Sequence, residues 1–445
     1  MRFQRRLSIA GWLSVLLAVL TLSRLPGMAQ TKGAIETAKP PVTAQQGAPQ
    51  PAYTLPPDKL AKAIQLDRIR NVLEIIDSIW GIVLLWLLLV SRAAAGMEKF
   101  AQRLTGRRWV QGGVFFVALV TITILAGLPL RIIGHHFSLA YGISVQSWGS
   151  WFDDQEKALA VAMIGVPVLL LFNWIVRRWP RRYWLIAWAV TLPLLLLSIY
   201  GEPLLEPIFE KFEPLQKNHA ALVSELEKVV ARTGTNIPPD RMYLMKASLK
   251  TNGLNAYVTG IGATKRIVVW DTTAGRIPND EVLFIFGHES GHYVLHHIPK
   301  GMAIYSFALY FVYWACARLG AWMVRRFGTR WGAAELSSRA GFVVLFFAIS
   351  LAGFLMEPAA NAVSRHFEHQ ADIFGQEAIH GVVADPQKTA AAAFNALGES
   401  WLDDPNPNPV IEFWLYSHPS TEHRAEFALH YDPWANGGHG EFFKN

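Results

Sequence analysis

The sequence has 445 residues, of which 52% are hydrophobic and 17% are charged, and its mean hydropathy is +0.22. A soluble protein carries about 25% charged residues, so this composition argues against a chain of soluble domains and indicates a polytopic membrane protein. The net charge of +7 comes largely from arginines in short loops between apolar segments, so it indicates membrane orientation and gives no reason to expect a nucleic-acid partner.

Residues 1–29 have the pattern of a secretory signal peptide. Three arginines precede an apolar run over 7–22, and the small residues Gly27 and Ala29 stand where a signal peptidase would require them. The alternative is a first transmembrane helix that is retained. Residues 30–74 are expected to form a flexible linker and then the helix that leads into the membrane.

Six further apolar segments have close to the about 20 residues that a helix needs to cross a bilayer. They lie at 75–95, 113–134, 158–176, 183–200, 302–323 and 340–357. We therefore predict transmembrane helices over 75–200 and two more over 301–357. The single cysteine, Cys316, lies in one of these segments, which excludes a disulfide framework and a cysteine-based zinc site.

Basic residues concentrate in three of the loops, at 92–112, 177–182 and 318–339. Basic loops stay on the cytoplasmic side of a membrane, so all three are expected there. The segments 201–300 and 358–445 then share the extracytoplasmic side.

These two segments have the pattern of a folded domain. Apolar periodicity and turn signals predict helices at 217–232, 359–382 and 386–402, and strands at 240–245, 254–260 and 266–270. The last two strands are separated by a glycine-rich turn, which predicts a β-hairpin.

Residues 280–297 predict a helix that contains the pattern H-E-x-x-H, with Pro278 before it and Pro299 after it. On a helix, His288 and His292 lie on one face and can bind one Zn²⁺. Glu289 flanks that face and can accept a proton from the attacking water without binding the metal. The alternative is that the two histidines are polar positions on a partly buried helix.

A hydrolytic zinc site needs a third protein ligand. The candidates are Glu335, Glu357, His366, Glu368, His369, His380, His418 and His423. Glu368 is favoured because Asp372 follows it by one helical turn and could accept the remaining N–H of His288 or His292. The alternative is an ordinary solvated helix face. Gly291 is expected to leave open space beside the metal.

Four motifs carry a resemblance to a known family. They are His288-Glu289-Ser290-Gly291-His292 with His297, Asn255-Ala256-Tyr257 with Gly260 and Lys265-Arg266-Ile267-Val268, Ser364-Arg365 with Phe367-Glu368 and Gln370-Ala371-Asp372, and Tyr416-Ser417-His418-Pro419 with Arg424. Through these motifs, residues 150–430 resemble the type I CAAX prenyl protease family of integral-membrane zinc metalloendopeptidases, which are gluzincins.

The resemblance implies roles for the motif residues. His288, His292 and Glu368 would bind one Zn²⁺ per chain, with Glu289 as the general base and Asp372 supporting a ligand. The strand Asn255-Ala256-Tyr257 would pair with the backbone of an extended peptide. His418 would donate a hydrogen bond to the oxyanion, and Arg424 would either hold that region or contact the substrate carboxylate. The alternatives are plain strand residues at Asn255 and Tyr257 and a structural ion pair at Arg424, while His297 is expected to cap a helix or face solvent.

The expected fold is mainly α, with six or seven transmembrane helices enclosing a chamber and a metalloprotease domain that contains a small β-hairpin or sheet. That domain is formed by residues 201–300 and 358–445. The expected activity is zinc-dependent hydrolysis of peptide bonds in a peptide or protein, possibly lipid-modified, in contact with membrane lipids. Two alternatives are a quality-control protease for membrane proteins and a non-catalytic lipid- or peptide-binding scaffold. A bacterial inner membrane, with the catalytic domain extracytoplasmic, is the expected location.

Overall fold

The computed structural model describes residues 51–260 and 262–444, so the predicted signal peptide or first transmembrane helix lies outside the described residues. The described chain is mainly helical, as predicted. Its helices and strands are α1 Pro57–Val90, α2 Ala93–Leu104, α3 Arg108–Ala140, α4 Trp148–Met163, α5 Val166–Arg178, α6 Tyr183–Phe209, β1 Phe212–Pro214, α7 Ala220–Thr233, β2 Met242–Met245, β3 Ala256–Thr259, β4 Arg266–Trp270, α8 Asp271–Ala274, α9 Asn279–Val294, α10 His297–Trp331, α11 Arg339–Ile379, α12 Pro386–Trp401, α13 Pro409–Leu415 and α14 Thr421–His430.

Each of the six predicted membrane segments overlaps a long apolar helical stretch. Within 51–260 and 262–444, five helical stretches are long and apolar enough to cross a membrane: α1, α3, α4 with α5, α10 and α11. Helix α6 bends by 50° between Ile199 and Gly201, and it adds a sixth span if its two parts are counted as one. The predicted class, a mainly helical polytopic membrane protein, is confirmed with five or six spans among the described residues, while the enclosure of a chamber stays a prediction.

The first span differs from its prediction at both ends. Helix α1 begins at Pro57 and ends at Val90, so the alanines predicted as the end of the span lie in α2 instead. The chain turns at Arg92, which has a positive φ of 61°. The Arg92 side chain donates hydrogen bonds to the carbonyl oxygens of Thr329 and Arg330, and these contacts stabilise the turn where a continuous helix was expected.

Helix α11 combines two predicted elements in one. It runs without interruption for 41 residues, so the predicted domain boundary between 357 and 358 lies inside it. Pro358 lies within the helix and removes one backbone hydrogen bond there. Membrane span and extramembrane helix are therefore one continuous rod.

The turn between α9 and α10 also differs from the prediction. Pro299 was expected to end the metal helix, but α9 ends at Val294 and Pro299 lies in the first turn of α10, where proline is tolerated. The reversal occurs at His296, whose φ of 55° is in the left-handed region. Chain direction therefore changes three residues earlier than the proline signal indicated.

A four-stranded sheet lies beside helix α9, which contains the H-E-x-x-H pattern. Its order is β1-β2-β4-β3, with β2 and β4 parallel and the other two pairs antiparallel. The predicted hairpin between β3 and β4 is confirmed, with Ala256 opposite Val269. Helix α9 packs against β3, which forms one edge of the sheet.

The three basic loops gather at one end of the helical bundle. Arg92 donates to Arg330, and Arg339 donates to the carbonyl oxygen of Arg108, so these contacts join loops 92–112 and 318–339. The third basic loop lies beside them, because Pro180 and Arg325 line the same cavity of about 330 Å³. The folded domain lies at the other ends of the same helices.

Helices α9 and α11 approach each other closely at two glycines. A Cβ on Gly287 would lie 3.0 Å from the carbonyl oxygen of Gly375, and a Cβ on Gly375 would lie 2.7 Å from the backbone nitrogen of His288. A Cβ at Gly375 would therefore force the backbones apart, and one at Gly287 would be tighter than an ordinary van der Waals contact. The contact lies directly beside the first histidine of the H-E-x-x-H pattern.

We expect Gly375→Ala to push α9 and α11 apart and to lower the free energy of unfolding by about 1–3 kcal/mol, the usual cost of overpacking. The matched control is Gly113→Ala in α3, where a Cβ would meet nothing within 4 Å. Thermal unfolding of the purified variants in one detergent measures both. Equal midpoints for the two variants would show that the helix contact tolerates a methyl group.

Candidate metal centre

Three side chains from two helices converge on one point. The Nε2 atoms of His288 and His292 in α9 are 3.2 Å apart. Glu368 of α11 places Oε2 3.3 Å from Nε2 of His288 and Oε1 3.5 Å from Nε2 of His292. Two ligands bound tetrahedrally to Zn²⁺ at 2.0–2.1 Å are about 3.3 Å apart. The donor set and its spacing therefore fit one zinc ion.

Among the described residues, His288, His292 and Glu368 form the group whose ligand atoms can share a metal ion. The favoured third-ligand candidate is thus the one brought to the two histidines. Several other candidates lie in different contacts: Glu335 accepts from Ser337, His369 lies against Phe427, His380 stacks on Trp434 and His423 lies near Glu412. His418 lies beside Glu368, as described below.

Asp372 and Arg424 support the first histidine. Nδ1 of His288 lies 2.8 Å from Oδ1 of Asp372, so the carboxylate accepts the ring N–H and leaves Nε2 free to bind a metal. The sequence had left open which histidine Asp372 contacts. Arg424 of α14 donates from Nε to Oδ2 of Asp372 at 2.9 Å and from Nη2 to Oδ1 at 2.5 Å.

Arg424 is buried, and its guanidinium also lies over the ring of Phe394, 4.5 Å from the centroid. Burial alone would lower the pKa of Arg424, but the surrounding carboxylates, Asp372 first and then Glu368 and Asp403, together outweigh burial and raise that pKa. Because the buried guanidinium donates from two nitrogens to Asp372, its geometry favours a structural role over direct contact with a substrate carboxylate. This geometry agrees with the structural ion pair that was the alternative for Arg424.

His418 lies at the site on the loop between α13 and α14. Its Nε2 is 3.2 Å from Oε1 of Glu368, and its Nδ1 is 2.9 Å from the hydroxyl of Ser417. A hydroxyl that donates to Nδ1 leaves the ring proton on Nε2, which faces the centre. The loop is held by Tyr416, whose carbonyl oxygen accepts from Arg365 and whose hydroxyl donates to Asp67 in α1.

Within the H-E-x-x-H pattern, the burial of Glu289 is consistent with its predicted role, whereas Gly291 differs from its prediction. Glu289 is buried beside His288 with 7% of its surface exposed, as a general base in a closed site would be. The expectation for Gly291 was wrong: a Cβ there would meet the Cβ of Phe374 at 3.0 Å and its ring at 3.1 Å. Gly291 therefore serves the packing of α9 on α11 and leaves no space beside the metal.

The structure buries His297, which the sequence had suggested would cap a helix or face solvent. Its Nδ1 lies 3.2 Å from Nδ1 of His292, and its Nε2 lies 3.1 Å from Oε1 of Gln370. Its ring stacks on Phe367, with centroids 4.5 Å apart. The available signal was that Gln370 lies two residues beyond Glu368 on the helix that carries the third ligand.

The pairing of the edge strand β3 with β4 determines which of its backbone groups point to the free edge of the sheet. The backbone N–H of Asn255 donates to Oγ1 of Thr273, and its carbonyl accepts from the N–H of Trp270, so Asn255 is occupied internally. In an antiparallel ladder, hydrogen-bonded pairs alternate with pairs whose groups face outward. The register therefore turns the main chain of Ala256 and Val258 to the free edge and that of Tyr257 inward.

Of Asn255, Ala256 and Tyr257, only Ala256 thus turns its main-chain N–H and C=O to the free edge. Val258 joins it, although the sequence motif did not include that residue. In the described residues no further strand covers β3.

Comparisons with known proteins agree with this arrangement. Residues 216–432 match the family model of peptidase family M48, and residues 42–211 match the model described as the CAAX prenyl protease N-terminal region with five membrane helices. The chain is 34% identical over 382 residues to the uncharacterized metalloprotease YhfN of Bacillus subtilis, covering 85% of this chain and 87% of that one.

More distant relatives share the same fold. The chain is similar to the CAAX prenyl protease 1 homolog of Homo sapiens, with 26% identity over 364 residues, 69% of this chain and 71% of the relative. The crystal structure of S. mikatae Ste24p superposes with a TM-score of 0.73 at 22% identity and covers 85% of this chain and 90% of that chain. The last comparison speaks for the fold alone.

We expect Arg424→Met to leave the Asp372 carboxylate buried without its cation and to lower the free energy of unfolding by about 3–5 kcal/mol. Adding Asp372→Asn should recover part of that loss, because the carboxylate that Arg424 binds most closely then no longer carries a charge. Lys388→Met is the matched control, since its ion pair with Asp385 is exposed and should contribute nothing measurable. Chemical unfolding measures all three, and an Arg424→Met protein as stable as the control would contradict the structural role.

Proposed function

Because the chain belongs to peptidase family M48 and is a membrane metalloendopeptidase, we propose that it hydrolyses peptide bonds with one Zn²⁺ held by His288, His292 and Glu368. The observation that carries this proposal is that the two histidine Nε2 atoms lie 3.2 Å apart and that each lies close to one carboxylate oxygen of Glu368, at 3.3 Å for His288 and 3.5 Å for His292. The set of two imidazoles and one carboxylate is the donor set of hydrolytic zinc sites that keep one position open.

Zn²⁺ would supply Lewis acidity, which polarises the scissile carbonyl and makes water more acidic. Glu289 takes a proton from the attacking water as its oxygen bonds to the carbonyl carbon. The same carboxyl group then delivers that proton to the amide nitrogen, which leaves as an amine when the C–N bond breaks. His418 donates from Nε2 to the carbonyl oxygen as negative charge develops there.

Two variants separate these roles. Glu289→Gln should bind Zn²⁺ as the parent does and lose about 10²–10⁴-fold in kcat, because the proton acceptor is gone. His418→Phe should lose about 10²–10³-fold in kcat, the cost of one oxyanion donor. Metal analysis and cleavage of a peptide library, each with and without a chelator, measure both properties.

Glu281→Gln is the control, since it changes the same functional group in the first turn of α9, about two helical turns from the site. It should cleave as the parent does. A Glu289→Gln protein with parental activity would overturn the mechanism.

We further propose that a substrate adds a strand to the free edge of β3. An extended peptide would exchange main-chain hydrogen bonds with Ala256 and Val258, and its carbonyl would lie alongside α9. This mode reads backbone more than side chains, so it suits an endopeptidase for extended, unfolded segments. The relatives named CAAX prenyl protease suggest lipid-modified peptides as one candidate class of substrate.

We expect Val258→Pro to lower kcat/KM about 5–10-fold, because it removes one outward N–H and with it about 1 kcal/mol of substrate binding. The fold should survive, since proline is tolerated at an edge position whose N–H faces away from the ladder. Tyr257→Pro should instead disrupt the pairing with β4 and destabilise the domain. Peptidase assays together with thermal unfolding test the pair, and equal damage by both prolines would contradict the assigned phase.

We propose that the basic end of the bundle faces the cytoplasm of a bacterial cell and that the metal site lies on the extracytoplasmic side of the inner membrane. The supporting observation is that all three basic loops gather at the end opposite the site. A substrate delivered from that side would differ from a cytosolic prenylated protein.

Single cysteines test this orientation on a Cys316→Ser background. Arg181 lies in a basic loop and Lys388 lies at the start of α12, and both are exposed. In whole cells with a permeable outer membrane, a membrane-impermeant maleimide should label Lys388→Cys and spare Arg181→Cys until the cells are lysed. The reverse labelling pattern would invert the topology.

A further inference from the structure

Asp372 supports His288 by accepting its ring N–H, and we call this contact the Asp372 arm. A second arm, formed by His297 and Gln370, lies against His292. It begins at His297, the first residue of α10, which the reversal at His296 returns to the site. His297 has 2% of its surface exposed. Its ring lies parallel to that of Phe367, with an interplanar angle of 10°, so its plane and position are fixed by packing.

The two nitrogens of His297 connect two polar groups. One nitrogen, Nδ1, faces Nδ1 of His292 at 3.2 Å, and the other, Nε2, faces the amide oxygen of Gln370 at 3.1 Å. Three side chains thus form a row that ends at Nε2 of His292, one of the three atoms proposed to bind the ion. The row consists of two imidazoles and one amide, and none of these groups needs a charge.

We infer that Gln370 and His297 hold His292 in the tautomer that can bind a metal. A neutral imidazole carries one N–H and one lone pair. The Gln370 oxygen can only accept, so His297 must place its proton on Nε2 and keep a lone pair on Nδ1. That lone pair accepts the proton of His292 on Nδ1, which leaves the lone pair of His292 on Nε2. The inference rests on the proposed function, because it takes Nε2 of His292 as a ligand.

The orientation of one amide therefore decides the state of two rings. If the NH₂ group of Gln370 faced His297, each proton would move to the opposite nitrogen. His292 would then carry its proton on Nε2, the atom that faces His288 and Glu368, and could not bind an ion there. Gln370 is a positioning residue in this account, and it acts through His297.

The two arms differ in charge. His288 donates to the carboxylate of Asp372, whereas His292 donates to a neutral chain. The neutral arm orients the second ligand without adding another anion to a site that already buries Glu368 and Asp372. Loss of the hydrogen bond that supports a ligand usually lowers the metal affinity about 10–100-fold.

Four variants test the arm through zinc affinity, measured by chelator competition on the full-length protein in detergent. Gln370→Leu removes the acceptor and should weaken Zn²⁺ binding about 10–100-fold. Gln370→Glu keeps an acceptor at the same place and should stay within about 3-fold of the parent. His297→Phe keeps the stack on Phe367 but not the acceptor, so it should weaken binding as Gln370→Leu does.

His296→Asn is the matched control. It changes the neighbouring histidine, which is exposed, and asparagine tolerates the left-handed backbone at that position. Its zinc affinity should equal that of the parent. Thermal unfolding of each metal-free variant checks that the fold is intact before affinities are compared.

The tautomer inference is overturned if Gln370→Leu and His297→Phe bind Zn²⁺ as tightly as the parent, or if Gln370→Glu is as weak as Gln370→Leu. In both cases a parent that binds zinc leaves the proposed function standing. A parent that binds no zinc would overturn the proposed function as well, so the two failures are distinguishable.

Discussion

The site depends on how closely two helices can approach. Gly287 and Gly375 let the backbones of α9 and α11 touch. His288, which follows Gly287 in α9, lies directly at the contact. Glu368 precedes Gly375 by two helical turns and so projects from the same side of α11. A larger side chain at either glycine would push the two helices apart and so increase the distance between the carboxylate and the imidazoles. The close backbone contact thus helps to set the geometry of the centre.

Burial of charge is the second constraint, and the molecule meets it with paired groups. Glu368 and Asp372 are both nearly inaccessible to water, and an isolated carboxylate there would be costly. Asp372 is matched by Arg424 and by the N–H of His288. Glu368 faces imidazoles on three sides, and a divalent cation would complete its compensation. Elements far apart in the chain, from α9 to α14, are therefore held together by one set of charges around one point.

The parts of the site that follow from helical spacing could be predicted from the sequence. The patterns that place His288 with His292 and Glu368 with Asp372 are local, and a helix converts such spacing directly into a shared face. What could not be predicted depends on chain reversals and on pairing. The burial of His297 follows from a left-handed turn at the residue before it. The outward groups of Val258 follow from the phase of the β3–β4 ladder, which the hydrogen bond from the Trp270 N–H to the Asn255 carbonyl sets.

Helix α11 carries an apolar membrane span in its first half and Glu368, the carboxylate proposed to bind the metal, in its second half. The two halves are one rod of 41 residues, weakened only at Pro358. A bilayer thicker or thinner than the apolar part of this rod would be accommodated by tilt, and the tilt would be transmitted along the helix to the Glu368 carboxylate. Hydrophobic mismatch would thus act on the proposed metal site, because the lipids around the protein would shift one proposed ligand relative to the two histidines.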